Sequence, residues 1–324
     1  MLKRGWTYGS LPLLRGLQAG IKLRSPQIEA VLEDHWHQTD PDLVVSLIPN
    51  FNGVLFRSLR NVRPDVPYVT VMTDIADRPP HFWQEEQDQF IICGSDRAVE
   101  QARMKLYRPD RILRVSGMVL KPDFYQGEIK DRRAERQKQG LNPDLPTALI
   151  MFGGNGSKIA IDIVEDLERL PFKMQSIVMC GNNQSLKQAL AQRDLCLAVG
   201  FTDRVPDYMR LADFFIGKPG PGSISEALHI GLPVIVERNR RTMPQEQYNT
   251  EWITEKNVGL VVKDFRQITD AVIALFKNNG LEKFQKNASL LNNRALFEIP
   301  EILARLMSVR NETEYLLSSE PGCQ

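Results

Sequence analysis

Short unbroken apolar runs alternate along this chain with longer stretches whose apolar residues recur at helical spacing. Leu43–Ile48, Tyr68–Met72, Phe90–Cys93 and Ile112–Val115 are the first four runs. Continuous apolar character, without every-other-residue alternation, predicts strands covered on both faces, as in a parallel sheet. The segments between them predict helices, notably Asp96–Leu106 after Gly94-Ser95. A second series follows: Thr147–Phe152, Ser176–Met179, Leu195–Val199, a run ending at Ile216, Leu232–Glu237 and Gly259–Val262. Helices are expected from about Lys158, over Val205–Leu211, around Glu246–Lys256, and on to the C-terminus. This alternation predicts an α/β protein with two Rossmann-like, doubly wound domains. The first, 1–140, shows about four strands and is incomplete, and the second, 141–324, has a full set of six.

The boundary falls within Gly117–Pro146. Lys121-Pro122-Asp123, the charged run Lys130–Lys138 and Asn142-Pro143 predict turns around a solvated helix, with the divide near Gly140. Ahead of the first strand, Leu13, Leu14, Leu17 and Ile21 fall at helical spacing among Lys3, Arg4, Arg15, Lys22 and Arg24. That pattern predicts a helix packed on the domain behind it. The other reading is a basic amphipathic segment resting on an anionic membrane surface. His35 and His37 read as helix-end polar residues, and Asp40-Pro41-Asp42, which precedes its strand, reads as a turn. The polar stretch Met307–Gln324 is expected to fray.

Composition narrows the function. A chain of 324 residues with formal net charge +1 argues against nucleic acid as the main partner. Cys93, Cys180, Cys196 and Cys323 show no metal spacing or close pair, which suits reduced thiols in a cytoplasmic protein. No apolar run has transmembrane length and no signal peptide is evident at Met1.

The richest stretch is Ile216–Val236. It reads as a strand end, a glycine turn, a short helix and the next strand. Gly220 and Gly222 let the backbone approach a ligand, with Pro221 between them; Ser223 and Ser225 offer small polar groups at the helix start. A helix N-terminus beside such a turn is a seat for phosphate. Glu226 is expected in the first helical turn, within reach of a sugar hydroxyl; the plain alternative is a capping glutamate in an ordinary strand–turn–helix. His229 reads as packing. A second glycine turn, Gly153-Gly154-Asn155-Gly156-Ser157, also follows a strand. It is neither G-x-G-x-x-G nor a P-loop, yet its N–H groups suit a diphosphate. Asp74 directly follows the second strand, where ligands of open α/β sheets bind. Its alternative is a turn cap. In the loop after it, Phe82 and Trp83 beside His81 are either core anchors or contacts for an apolar substrate. Pro244-Gln245-Glu246-Gln247-Tyr248-Asn249 opens a helix with groups able to read hydroxyls, or simply caps it.

Together these pieces resemble the GT-B glycosyltransferases, and among them the monogalactosyldiacylglycerol synthases. Lys218-Pro219-Gly220-Pro221-Gly222-Ser223-Ile224-Ser225-Glu226-Ala227 is close to that family's K-A-G-P-G-T-I-A-E-A. Gln245-Glu246 with Asn249 resembles its Q-E-x-x-N, and Gly153-Gly154-Asn155-Gly156 its G-G-G-E-G loop. Val71-Met72-Thr73-Asp74, followed by His81, Phe82 and Trp83, is similar to its V-x-T-D and H-P-T-W-F segment. The likeness runs from about Pro41 to about Ala274. The lipid-linked N-acetylglucosaminyltransferase of peptidoglycan synthesis is a more distant relative.

The resemblance implies an inverting transfer of a hexose from UDP-galactose or UDP-glucose to a lipid such as diacylglycerol, by a cytoplasmic protein peripheral on the membrane. It implies that Gly153–Ser157 and Gly220–Ser223 hold the diphosphate. Phe201 and Thr202, with Gly181 and Asn182 nearby, would meet uracil. Glu226 would bind the ribose, and Gln245, Glu246 and Asn249 the hexose and phosphates. His81, Phe82 and Trp83 would lie on the acceptor side. No metal or other cofactor is expected, because helix dipoles and N–H groups can stabilise departing UDP. The family opens with a strand and a G-G-G-H loop whose histidine looks like the catalytic base. This chain shows no such loop, which leaves Asp74 as the candidate base and predicts an exposed sheet edge prone to association. Two alternatives stay open: a UDP-sugar-binding remnant without turnover, and a UDP-sugar 2-epimerase, which the Q-E-x-x-N run disfavours.

Overall fold

The computed structural model of the chain describes residues 10–127 and 129–319, so Lys3, Arg4 and Cys323 lie outside the described residues. The chain divides into two compact units. Among the described residues, one comprises 10–119 together with those from Asn293 onward; the other is Leu120–Asn292.

The first unit runs α1 (Ser10–Leu23), α2 (Ser25–Thr39), β1 (Val44–Ser46), α3 (Asn52–Val62), β2 (Tyr68–Val71), β3 (Phe90–Cys93), α4 (Asp96–Met104) and β4 (Ile112–Arg114). Its four strands are parallel and lie in chain order. β2 is buried at every position, as its apolar run predicts. Met72, Trp83, Ile91 and Cys93 pack on one side of the sheet, and Val69, Val71 and Ile92 join a separate cluster. β1 departs from expectation. It is an edge strand, Val44 and Val45 are only half-buried, and Leu47 and Ile48 beyond it are 50% and 54% exposed. A strand with one neighbour has less cover than its composition suggests. The apolar stripe of α1 also splits. Ile21 is buried and Leu14 packs on the Trp83 cluster, whereas Leu13 and Leu17 are 63% and 48% exposed.

The second unit holds α5 (Arg132–Lys138), β5 (Thr147–Met151), α6 (Ile159–Glu168), β6 (Gln175–Gly181), α7 (Gln184–Leu190), β7 (Cys196–Gly200) and α8 (Val205–Leu211). It continues with β8 (Phe214–Gly217), α9 (Pro221–His229), β9 (Val234–Glu237), α10 (Gln247–Lys256), β10 (Gly259–Val262), α11 (Ile268–Phe276) and α12 (Gly280–Ser289). Six parallel strands are ordered β10-β9-β8-β5-β6-β7. The chain builds outward from β5 to β7, returns to the other side of β5, and builds outward again from β8. The order therefore reverses between β5 and β8, which pair directly, Met151 facing Gly217. Helices cover both faces over two separate apolar clusters, one around Ile150, Val178 and Ile216 and the other around Leu149, Ile177 and Phe215.

The expected division at Gly140 is corrected. Leu120, Phe124 and Leu141 are buried in the core of the second unit. The charged helix α5 is solvated on one side only: Arg133 and Lys138 are exposed, but Arg136 is buried, its Nη2 lies 2.9 Å from Asp213 Oδ2, and its Nε donates to Leu211 O. The last helix, α13 (Ala295–Ser319), belongs to the first unit. Asn293 Nδ2 donates to Met118 O at 2.7 Å, and Glu298 accepts from both the N–H and the hydroxyl of Ser116.

Candidate functional site

Both glycine turns leave the carboxyl ends of the two strands that flank the reversal, where open α/β sheets bind ligands. After β5, Gly153 has φ +80° and Gly156 φ +58°, conformations that favour glycine. Gly156 N–H bonds to Gly153 O, closing the turn, and Asn182 N–H bonds to Gly154 O at 2.9 Å. A Cβ on Gly181 would lie 2.1 Å from Gly154 O, so only glycine lets the end of β6 support this turn. After β8, a Cβ on Gly217 would lie 2.5 Å from Met151 O, which brings the second turn beside the first.

Gly154 and Gly222 differ from these. Neither has positive φ, and a Cβ on either would meet nothing within 4 Å. Protein packing does not require glycine there, and at Gly222 glycine weakens a helix. Both positions leave open space into which a ligand could approach. Gly154 and Asn155 are exposed, Gly156 and Ser157 partly so. The N-cap of α9 is Gly220, with no side-chain cap, so the first-turn N–H groups of Gly222 and Ser223 have no intrahelical partner. Ser223 and Ser225 do not cap the helix; Ser225 is buried.

Glu226 lies in the second turn of α9, not the first. It is half-buried, and no hydrogen bond is made to its carboxylate among the described residues. Burial pushes its pKa above the ordinary value, against the pull of Lys121. A partly desolvated carboxylate without donors favours a ligand that supplies hydroxyl groups.

The Gln245–Asn249 stretch divides by burial. Pro244–Glu246 is a 3-10 turn leading into α10. Gln245 is partly exposed, and Glu246 sits against the second turn, its Oε1 3.7 Å from where a Gly220 Cβ would be. Asn249 is fully buried, and its Nδ2 donates to Pro219 O at 2.7 Å. The expectation that Asn249 touches sugar or phosphate is corrected: it fastens the turn from beneath. Phe201 is 72% exposed past the end of β7, and Thr202 Oγ1 accepts from Arg204 N–H. The N–H of Asn182 is already committed to Gly154.

In the first unit, Asp74 follows β2 as expected but is 8% exposed, and its Oδ2 accepts from the Trp83 indole at 2.8 Å. Burial, opposed by this bond, raises its pKa to about 6. Phe82 and Trp83 are core residues, 8% and 1% exposed, so their expected contact with an acceptor is corrected. His81 is the exposed member, with φ +64°. Its Nδ1 lies 3.7 Å from Glu85 Oε2 and 3.5 Å from Lys105 Nζ. Sequence reasoning missed the residue that fixes this loop, Asp77. Its buried carboxylate accepts from Trp83 N–H at 2.7 Å and His81 N–H at 3.2 Å, and pairs with Lys105 at 2.8 Å. The signal was available: an aspartate ahead of Pro79-Pro80 suits a side-chain-to-backbone turn.

Residues 147–296 match the glycosyltransferase family 28 C-terminal domain. A probable monogalactosyldiacylglycerol synthase 2 from Oryza sativa subsp. japonica, described as chloroplastic, is 30% identical over 282 residues, 82% of this chain. The chain spans 59% of that relative's length. MurG of Acinetobacter baumannii superposes with a TM-score of 0.61 at 12% identity, covering 90% of this chain and 79% of the other. HepE of Anabaena, solved in complex with UDP, superposes with a TM-score of 0.55 at 14% identity, covering 90% and 82%. The fold is α/β with two Rossmann-like units of GT-B type, and the chain is similar to the monogalactosyldiacylglycerol synthases, as its motifs imply.

Proposed function

We propose that the chain is an inverting hexosyltransferase that takes its sugar from a UDP donor and passes it to a lipid acceptor, with galactose as the hexose. The observation that carries this reading is the pair of glycine turns on neighbouring strands at the order reversal, with two glycines the protein itself does not need. In this reading the N–H groups of both turns hold the diphosphate, Glu226 takes the ribose hydroxyls, and Gln245 and Glu246 face the hexose. Backbone groups of Phe201 and Thr202 present hydrogen bonds to uracil.

The acceptor hydroxyl attacks the anomeric carbon from the face opposite UDP. A C–O bond forms, the bond to the diphosphate breaks, and UDP leaves with the electron pair. We assign the proton acceptor to His81 instead of Asp74, because His81 is exposed whereas Asp74 is buried and already accepts from the Trp83 indole. Fixed N–H donors stabilise the charge growing on UDP, so no metal is required. Among the described residues no helix is long and apolar enough to cross a membrane, and we place the protein peripherally on a lipid surface. That similarity to galactolipid synthases supports the lipid acceptor.

Labelled UDP-galactose and UDP-glucose, each supplied with diacylglycerol vesicles, test the proposal. Labelled glycolipid that persists in excess chelator is the expected result. UDP binding without transfer from either donor to any lipid would leave a nucleotide-sugar-binding protein, and dependence on a divalent cation would overturn the metal-free assignment.

A further inference from the structure

The loop after β9 carries three arginines, Arg238, Arg240 and Arg241, that the diphosphate, ribose and hexose contacts leave unused. The loop is placed from both ends. Val236 of β9 lies opposite Gly217, the residue from which the second glycine turn leaves β8. Neighbouring strands stand about 4.8 Å apart, so the two segments leave the same end of the sheet side by side. The returning chain comes back against that turn: Glu246 Oε1 stands 3.7 Å from the position of a Gly220 Cβ, and Asn249 donates to Pro219 O. Between these anchors Asn239–Thr242 closes on itself. Thr242 N–H donates to Asn239 O at 3.1 Å, Asn239 N–H to Thr242 Oγ1 at 3.0 Å, and Arg241 N–H to Asn239 Oδ1 at 2.7 Å. Arg240 and Arg241 therefore form the tip of a short braced turn.

The three differ in commitment. Arg238 pairs with Glu251 at 2.7 Å, and Arg241 lies in the field of Asp264 and Glu237. Arg240 is exposed and makes no hydrogen bond or ion pair among the described residues. The second turn needs such a charge. Glu226 on α9 and Glu246 beside Gly220 both oppose an anion there, while the N-terminus of α9 offers only about half a positive charge. Lys121 answers Glu226, and Lys218, exposed within the turn, is uncommitted like Arg240. When the sugar–phosphate bond breaks, the electron pair stays on the β-phosphate oxygen, which gains a full negative charge. A guanidinium is always charged and matches phosphate with two parallel N–H groups, so it stabilises that charge directly.

We infer that Arg240 is the cation that meets the β-phosphate of the donor and takes up the charge UDP gains as it leaves. The inference rests on the proposed UDP donor and adds which side chain supplies positive charge at that phosphate.

Calorimetry on the full chain compares UDP with UMP, since only UDP carries the β-phosphate. Neither sugar nor lipid is present, so turnover and membrane contact play no part. Arg240→Gln should weaken UDP about tenfold or more and leave UMP as in the wild type. Arg240→Lys keeps the charge without the paired donors and should fall between the two. Because Arg240 is exposed and holds no other residue, both variants should melt as the wild type does. In the transfer assay Arg240→Gln should lower kcat about tenfold or more. Unchanged UDP affinity in Arg240→Gln, beside a loss in Gly222→Ala, overturns the inference and leaves the donor reading in place. So does a loss that appears in Lys218→Met instead, or one that UMP shares equally. A wild type that binds neither nucleotide removes the donor reading and this inference with it.

Discussion

Single residues show most sharply where local pattern ends and packing begins. Glu226 stood out in the sequence as a candidate for a ligand from its place behind a glycine turn, although the structure puts it one helical turn further on. Its missing donors and raised pKa were not legible, because both depend on what surrounds the side chain. If it accepts charged hydrogen bonds from ribose, Glu226→Ala should weaken UDP binding by about 1.5–3 kcal/mol in calorimetry. An unchanged dissociation constant would remove the ribose assignment. Asp74 shows the opposite case. Its position after β2 was legible, but the direction of Trp83 was not, and the indole turns the aspartate into a buried brace. With its pKa raised from 3.8 to about 6, the folded state binds the extra proton. Stability from this group is fully present below pH 3.8 and is lost as pH rises through about 6. The loss above that range is about 3 kcal/mol, taking 1.36 kcal/mol per pKa unit. Asp74→Asn keeps an acceptor for Trp83 and cannot ionise. It should therefore melt higher than wild type at pH 8, with the gain shrinking at pH 5; equal gains at both would show that ionisation is not the cause.

At the scale of elements, strands and helices were legible because parallel strands are continuous apolar runs and helices fill the gaps. Phe90–Cys93, Val205–Leu211 and Gly259–Val262 fall where the pattern puts them. Strand order was beyond local pattern, since β5 and β8 meet only through the return of the chain after β7. That pairing turns two separate glycine motifs into one place. The glycines themselves then divide into two kinds. Gly181 and Gly217 are forced by backbone approaching within 2.1 and 2.5 Å of a Cβ position, whereas Gly222 stands in open space. Gly222→Ala should leave the melting temperature unchanged or raise it, since alanine favours a helix by up to about 1 kcal/mol. The same change should weaken UDP about tenfold by intruding on the diphosphate. A variant that loses stability, or that binds UDP as the wild type does, would mean the turn is not a phosphate seat.

Over the whole molecule the divide between units was misplaced because charge was equated with solvent. The run around Arg132, Arg133 and Arg136 looks like an exposed linker, yet Arg132 and Arg136 serve carbonyl groups before β8 and both pair with Asp213. Guanidinium groups with several directed donors can be buried in this way when carbonyls converge on them. The return of the last helix was equally hidden, since contacts between Ser116 and Glu298 span 182 positions. That contact is testable. Glu298 receives two hydrogen bonds, at 2.7 Å from Ser116 N–H and 2.8 Å from its hydroxyl, and both are strengthened by the carboxylate charge. Removing the acceptor leaves the partly buried Ser116 donors dependent on water. Glu298→Ala should therefore cost the first unit about 1–3 kcal/mol. In a thermal melt this is a drop of several degrees, at about 2–4 °C per kcal/mol for a unit of this size class. UDP affinity, which the proposed function assigns to Leu120–Asn292, should stay at the wild-type value. A fall in UDP affinity beside an unchanged melt would reverse the assignment of α13 and give the helix to the donor-binding unit.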